Sequence, residues 1–427
     1  MTQLSTTNTF TAEYAQMRDE ADPLKRFRDE FLIPQHQRKP VAYFCGNSLG
    51  LQPKAAEDSV KQELRDWSEL GVEGHTQARR PWVSYHELLT EALAEITGSL
   101  RSEVVAMNAL TVNLHLLMAS FYRPNKERFR ILCEAKAFPS DQYALQSQAE
   151  WHGLMPAEVI REIHPREGQH HIELDDILQA IREEGSQLAL VMIGGVNYYS
   201  GQVFDMETIT REAHKVGAIA GFDLAHAIGN IHLKLHEWNV DFAAWCSYKY
   251  LNSGPGGTAG IFIHEKHASS PETFRLKGWW GHNKAERFKM GPDFEPIPTA
   301  ESWQMSNAPV LSMAVQIASL ELFRQAGMTN LLGKSKALTA YADQLLSEVM
   351  RQGPLAGAFE IITPKDRGCQ LSLLFSRHGR AVFDYLTANG VIADWREPNV
   401  IRIAPVPLYN QFSDIYRLAS LLAQFPG

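Results

Sequence analysis

Cysteine is scarce: four thiols, Cys45, Cys133, Cys246 and Cys369, share no CxxC spacing and sit among apolar residues. A disulfide scaffold is excluded, and reduced thiols in a cytoplasm are expected. No apolar run approaches the length of a membrane span. The opening stretch, MTQLSTTNTFTAEYAQMRDEADPLKRF, has no apolar core behind its first basic residues and carries acids early. Neither a secretory signal nor a transit peptide is therefore expected. Basic residues are outnumbered, 41 Lys and Arg against 49 Asp and Glu, leaving a net charge of −8. That is the wrong sign for nucleic acid or an anionic membrane, and a small-molecule partner is favoured. Repeats and linkers rich in Pro, Gly or Ser are also missing. With 44% hydrophobic and 21% charged residues the composition is that of a globular protein, which leaves out collagen, disorder and coiled coil. A chain of 427 residues calls for one large domain and a smaller one.

Two segments near the start, Pro53 to Leu70 and Ser84 to Gly98, space their apolar residues at three to four and predict surface helices. Short apolar runs then alternate with helical stretches: EVVAM before TVNLHLLMASFY, RFRILCEA before DQYALQSQAEW, LALVMIGGV before METITREAHKVG, then AIAGFD, DFAAWC and GIFIHE. Unbroken apolar runs between helices are what strands buried on both faces require, so a mainly parallel α/β sheet is predicted. Beyond Asn307 two long helical stretches lead into FEIITP, CQLSLLF, a helix over AVFDYLTANG, NVIRIAP and a last helix, the pattern of a compact α+β unit. The division expected is an N-terminal segment over 1–40, a large α/β domain over 41–306 and a small domain over 307–427. The two domains should pack closely enough for both to serve one site.

Chemistry concentrates in AGFDLAHAIG and DFAAWCSYKYLNSGPGG. Asp223 closes one apolar run and Lys249 follows another. The carboxyl ends of strands line the ligand crevice of an open α/β sheet, so both charges can face one cofactor. An amine desolvated there sheds its proton and can form an imine. Pyridoxal phosphate (PLP) needs such a set: an amine for its aldehyde, an acid beside its ring nitrogen, a flat clamp and donors around its phosphate. Phe138 can stack on the ring, Thr111 opens a helix whose N–H groups suit a phosphate, and Gly254, Gly256 and Gly257 permit close backbone approach.

The segments GNSLGLQPK, GHTQARRPW, MNALTVNLHLL, FPSDQYA, GFDLAHAIGN, WCSYKYLNSGPGG, GWWGH, SNAPVL and IRIAPVPLYN, running in order from about Tyr43 to Asn410, resemble the kynureninase family. The resemblance implies the fold type I architecture of PLP enzymes, aspartate-aminotransferase-like, with a mainly parallel seven-stranded sheet and a smaller α+β domain. It implies hydrolysis of L-kynurenine or 3-hydroxy-L-kynurenine to anthranilate or 3-hydroxyanthranilate and L-alanine, in tryptophan catabolism and NAD biosynthesis, by a cytoplasmic homodimer. Lys249 is then the lysine that holds the cofactor, Asp223 the partner of its ring nitrogen, and Tyr248 the proton donor to the substrate's β-carbon. The cofactor shell implied is Leu110, Thr111, Phe138, Pro139, Ser140, Asp141, Gly194, Asp223, His226, Tyr248 and Lys249. Trp279 and Asn307 join it from the partner subunit. At Gly194 relatives can carry a hydroxyl residue. Ser48, His75, Trp280, Asn307 and Arg402 are implied for the substrate, Arg402 gripping its α-carboxylate with a two-pronged guanidinium.

Each residue also has a plainer reading. Lys249 alone would be a surface ion-pair former, Asp223 a helix cap, His75 and His226 core histidines, and Phe138, Trp279 and Trp280 packing. Arg402, inside an apolar strand, requires an anion, either a protein carboxylate or a ligand, with a ligand preferred. No metal is assigned: His170 and His171 are adjacent and lack a third ligand, and His86-Glu87 lacks the second His of a zinc-protease helix. SGPGG lacks the GK[ST] ending of a P-loop. The rival functions are another fold type I PLP enzyme, a cysteine desulfurase or small-molecule aminotransferase, and a non-catalytic sensor. A desulfurase needs an exposed mobile thiol, for which Cys369 is the one candidate, and a sensor would lack Lys249 or Arg402.

Overall fold

Strand-forming apolar runs alternating with amphipathic helices build the larger of two compact units, Ala55–Tyr198 with Gln202–Phe323. The other unit joins the chain up to Lys54 to Tyr199–Gly201 and Arg324–Gly427. The computed structural model describes residues 9–427; the first eight residues of the segment expected over 1–40 lie outside the described residues.

The large unit centres on seven strands: β1 (Val104–Ala106), β2 (Arg130–Glu134), β3 (Ile160–Ile163), β4 (Leu188–Gly194), β5 (Ile219–Asp223), β6 (Phe242–Trp245) and β7 (Gly260–Ile263). Their order across the sheet is β1-β7-β6-β5-β4-β2-β3. Only β7 runs against its neighbours, so the sheet is mainly parallel, as the apolar runs predict. Residues of β5, β6 and β7 are almost wholly buried, and each fully buried Val, Ile, Leu or Phe contributes about 1.5–3 kcal/mol. Close packing sets local sequence: a Cβ on Gly221 would lie 2.1 Å from the Phe242 ring, so only glycine fits there. Helices α1 (Leu110–Phe121) and α2 (Pro139–Trp151) follow β1 and β2. Pro139 stands in the first turn of α2, where its missing N–H costs nothing.

Register fixes the crevice. Asp223 lies opposite Gly194 on β4 and Ala244 on β6, while Leu132 of β2 pairs with Val191 of β4. The carboxyl ends of β2, β4 and β5 therefore bring Glu134, Gly194 and Asp223 into one row.

The smaller unit holds a four-stranded antiparallel sheet, β8 (Phe359–Ile361), β9 (Leu371–Phe375), β10 (Asp394–Arg396) and β11 (Val400–Ile403), in the order β8-β9-β11-β10. Its core includes Leu345, Leu373, Ile401, Ile403 and Leu418. Among the described residues no helix is long and apolar enough to cross a membrane.

Candidate active site

At the carboxyl edge of the large sheet a cavity of about 220 Å3 opens beside Glu134, Gly194 and Asp223. Asp223 is anchored by its strand: Gly195 N–H donates to its carbonyl at 2.7 Å, and Leu224 N–H bonds across to Ala244. Its carboxylate accepts from Ala225 N–H at 2.6 Å, which aims the side chain rather than leaving it to turn. The first turn of α2 brings Asp141 alongside, and the two carboxyls share a hydrogen bond. Burial pushes both up from the usual carboxylate range, Asp141 the more strongly because the charge of Asp223 adds to burial. Glu134 is pushed up to about 7, chiefly by burial, although the Gly194 N–H and the Asn197 side chain oppose the shift.

Lys249 enters the same cavity from the turn after β6. Its Nζ lies 3.0 Å from His226 Nε2, 5.8 Å from the Phe138 ring centre and 6.0 Å from that of Tyr248. Burial, aided by Cys246, pushes the Tyr248 phenol up, so its proton is retained at neutral pH. On the far wall, α1 begins at Leu110 behind Ala109, whose side chain cannot cap the first turn. Both Leu110 and Thr111 line the cavity, which leaves first-turn N–H groups to serve an anion.

Ten of the expected residues thus meet in one place: Leu110, Thr111, Phe138, Ser140 and Asp141 from the α1 and α2 turns, and Gly194, Asp223, His226, Tyr248 and Lys249 from the strand ends. Pro139 is in the α2 turn but does not line the cavity. His75 and Asn307 lie elsewhere in the large unit, on a more open, largely apolar cavity of about 400 Å3 with Trp67, Trp82 and Leu311. There His75 meets the Trp82 ring edge-on, and a Cβ on Gly74 would strike that ring at 2.3 Å. Trp279 is 47% exposed; Trp280 is buried, with the Arg287 guanidinium 4.2 Å above its ring. Ser48 and Arg402 belong to the smaller unit.

Arg402 is 1% exposed, and Asp394 answers its need for an anion: Asp394 Oδ1 accepts from Nε at 3.1 Å and lies 2.9 Å from Nη2. The preference for a ligand as that anion is corrected to this extent, since a strand neighbour already supplies a carboxylate, and any ligand shares the guanidinium with it.

Sequence reasoning missed Glu134, together with Val196 and Tyr198, which line the cavity. The signal was available: Glu134 closes an apolar run in RILCEA as Asp223 closes one in AIAGFD. Among the described residues, two other groups each gather three potential metal ligands, Glu103 with His236 and His264, and His86 with Glu87 and Glu301. In the first, Glu103 Oε1 already accepts from Glu265 N–H. In the second, Lys284 Nζ sits 2.8 Å from Glu301, placing a cation where a metal would go.

Comparison with known proteins adds to this geometry. Residues 43–354 match the aminotransferase class-V family and 331–422 the kynureninase C-terminal domain. A kynureninase of Flavobacterium psychrophilum is 55% identical over 415 residues, spanning 96% of this chain and 97% of that one. Another, of Myxococcus xanthus, is 50% identical over 96% of each. Among solved structures the cysteine desulfurase CsdA of Escherichia coli superposes with a TM-score of 0.74 at 16% identity, covering 94% of this chain and 98% of that one. A desulfurase of Thermococcus onnurineus gives 0.71 at 17%, covering 90% and 94%. At such low identity these two share only the fold, which is that of fold type I PLP enzymes. Identity of half or more along nearly the whole length, joined to a lysine and an acid facing each other across the sheet edge, makes this chain a member of the kynureninase family.

Proposed function

We propose that this protein is a PLP-dependent hydrolase that cleaves L-kynurenine, or its 3-hydroxy form, to anthranilate, or 3-hydroxyanthranilate, and L-alanine. The observation that carries this reading is the meeting of Lys249 and Asp223 in one cavity at the carboxyl edge of the sheet, within a chain 55% identical to a kynureninase.

The residues present fit the cofactor. The first turn of α1 has no side-chain cap and suits a phosphate. Phe138 offers a flat face, and the buried Glu134 Oε2 has no hydrogen-bond partner. When bound, PLP supplies an aldehyde that captures amines and a ring that withdraws electrons from the substrate's Cα and Cβ. Asp223 would keep the ring nitrogen protonated, and Asp141, holding its own proton, would steady the Asp223 charge through their shared hydrogen bond. Lys249 Nζ would hold the aldehyde, and the same amine would take the proton from substrate Cα. His226, 3.0 Å from that nitrogen, orients it. The Tyr248 phenol, which retains its proton, delivers it to the substrate's β-carbon.

Arg402 is assigned to the α-carboxylate, with Asp394 fixing the plane of its guanidinium. Ser48, His75, Asn307 and Trp280 are assigned to the aryl ketone and ring. A homodimer in which Trp279 and Asn307 serve the partner's site is supported by exposed apolar side chains, among them Trp67, Trp279 and Leu311 at 61%, 47% and 41% exposure. The free thiols support a cytoplasmic setting. Against the desulfurase alternative, Cys369 is 1% exposed, and a packed thiol cannot swing to a substrate.

The test is a steady-state assay with kynurenine and 3-hydroxykynurenine side by side, following each fluorescent product, with cysteine as control. Release of either product without sulfide from cysteine supports the reading. Sulfide release with neither aryl product contradicts it.

A further inference from the structure

Glu134 has no task in the mechanism above, although it belongs to the same cavity as Lys249 and Asp223. It closes β2 and is 4% exposed; Asn197 Nδ2 donates to Oε1 at 3.3 Å and the Gly194 N–H also serves the carboxyl, while Oε2 is buried without a hydrogen-bond partner. Glu134 lines the cavity beside Gly194, which has no side chain; a Cβ there would stand 3.4 Å from Oε1. A buried carboxyl oxygen without a partner is destabilising, and a hydrogen bond to a ligand would relieve it.

We propose that Glu134 is a cofactor-contacting residue that stays protonated and donates a hydrogen bond from Oε2 to the phenolic oxygen of bound PLP. The inference rests on PLP being the ligand. Elimination points to the phenolic oxygen: the uncapped α1 turn takes the phosphate, Asp223 the ring nitrogen and Lys249 the aldehyde, which leaves one polar ring substituent. That oxygen carries negative charge, so only a donor is welcome beside it, and a carboxyl donates only while it holds its proton. Burial, with the charge of Asp223 on β5 adding to it, favours that state and pushes the carboxyl up to about 7, against the opposing pull of the N–H donors from Gly194 and Asn197; Asp141 on α2 is a further acid beside it, and Lys249 and His226 line the same cavity.

The test compares wild type, Glu134→Gln and Glu134→Leu by titrating each apoprotein with PLP and recording the visible spectrum of the complex against pH. Glutamine keeps a donor and should hold the dissociation constant within about threefold, whereas leucine should weaken it about tenfold or more, the loss expected for one charge-assisted hydrogen bond. The visible band of the leucine variant should also titrate at higher pH, because an unassisted phenolate holds the proton of the neighbouring carbon–nitrogen double bond more firmly. Equal affinity and equal titration in all three proteins would overturn the proposal. Should the leucine variant not fold, the infrared difference spectrum of wild type on adding PLP should contain a protonated-carboxyl band that Glu134→Gln lacks; its presence in both overturns the proposal. Failure of the wild type to bind PLP would instead overturn the reading of the cofactor itself.

Discussion

Asp223 closes β5 and Asp241 immediately precedes the next strand, β6, yet the two acids sit in opposite electrostatic settings. Asp241 is saturated: His214 Nε2 and Ala220 N–H reach Oδ2, each at 2.7 Å, while His267 Nε2 at 2.7 Å and Lys266 Nζ at 2.8 Å reach Oδ1. Those donors and charges outweigh burial and hold its carboxyl far below the ordinary range. Nearby, Glu103 is likewise engaged by Leu100 N–H, Glu265 N–H and His236. At the carboxyl edge, Glu134, Asp141 and Asp223 crowd together, and burial raises all three, although the charge of Lys249 pulls Asp223 the other way. A buried acid that the chain itself satisfies serves stability; a group of acids left wanting protons serves a ligand.

The largest effect should come from the cavity side. Lys249→Ala should lower kcat by about a thousandfold or more and leave thermal stability and noncovalent PLP binding intact. Anthranilate release at the normal rate would break the comparison. On the saturated side, Asp241→Asn should cost about 3–5 kcal/mol by stranding a lysine and two histidines around a neutral amide, measured by urea unfolding, with kcat per folded molecule unchanged.

The two settings should also give opposite pH slopes in the apoprotein. Asp241, whose folded value is depressed, contributes stability fully above the unfolded carboxylate range near about 4, and this is lost as pH falls toward the folded value. Glu134 is raised to about 7, so between its unfolded value near about 4.3 and 7 the folded state binds the extra proton. Stability there falls as pH rises, and Glu134→Gln should flatten that decline. An unchanged slope in the variant would show that Glu134 titrates normally. The smallest effect concerns the smaller unit: Arg402→Lys should raise KM about tenfold through loss of the guanidinium fork, leaving PLP affinity alone. Lowered PLP occupancy at unchanged KM would refute the role given to Arg402.

What the sequence revealed follows the same physics. Six strands of the large sheet are legible because burial on both faces demands unbroken apolar runs. The seventh, β3, is not: it is an edge strand in which Arg161 and Glu162 break the apolar run between Ile160 and Ile163. The short strand β10, DWR, is equally unreadable because all three residues are half-buried. That gap had a consequence, since Asp394 on β10 is the carboxylate that meets Arg402, and without the strand the anion stayed open. The cavity was legible where motifs carry it, from Thr111 to Lys249. Glu134 escaped because it lies outside those segments, although the rule that found Asp223 applies to it equally.

The central claim, that Lys249 is the amine that captures the cofactor's aldehyde, is tested most directly by borohydride reduction of the yellow holoprotein followed by peptide mapping. The account predicts one pyridoxyl label, on the peptide containing Ser247, Tyr248 and Lys249. A label on any other lysine, or an active enzyme that takes up none, would contradict it.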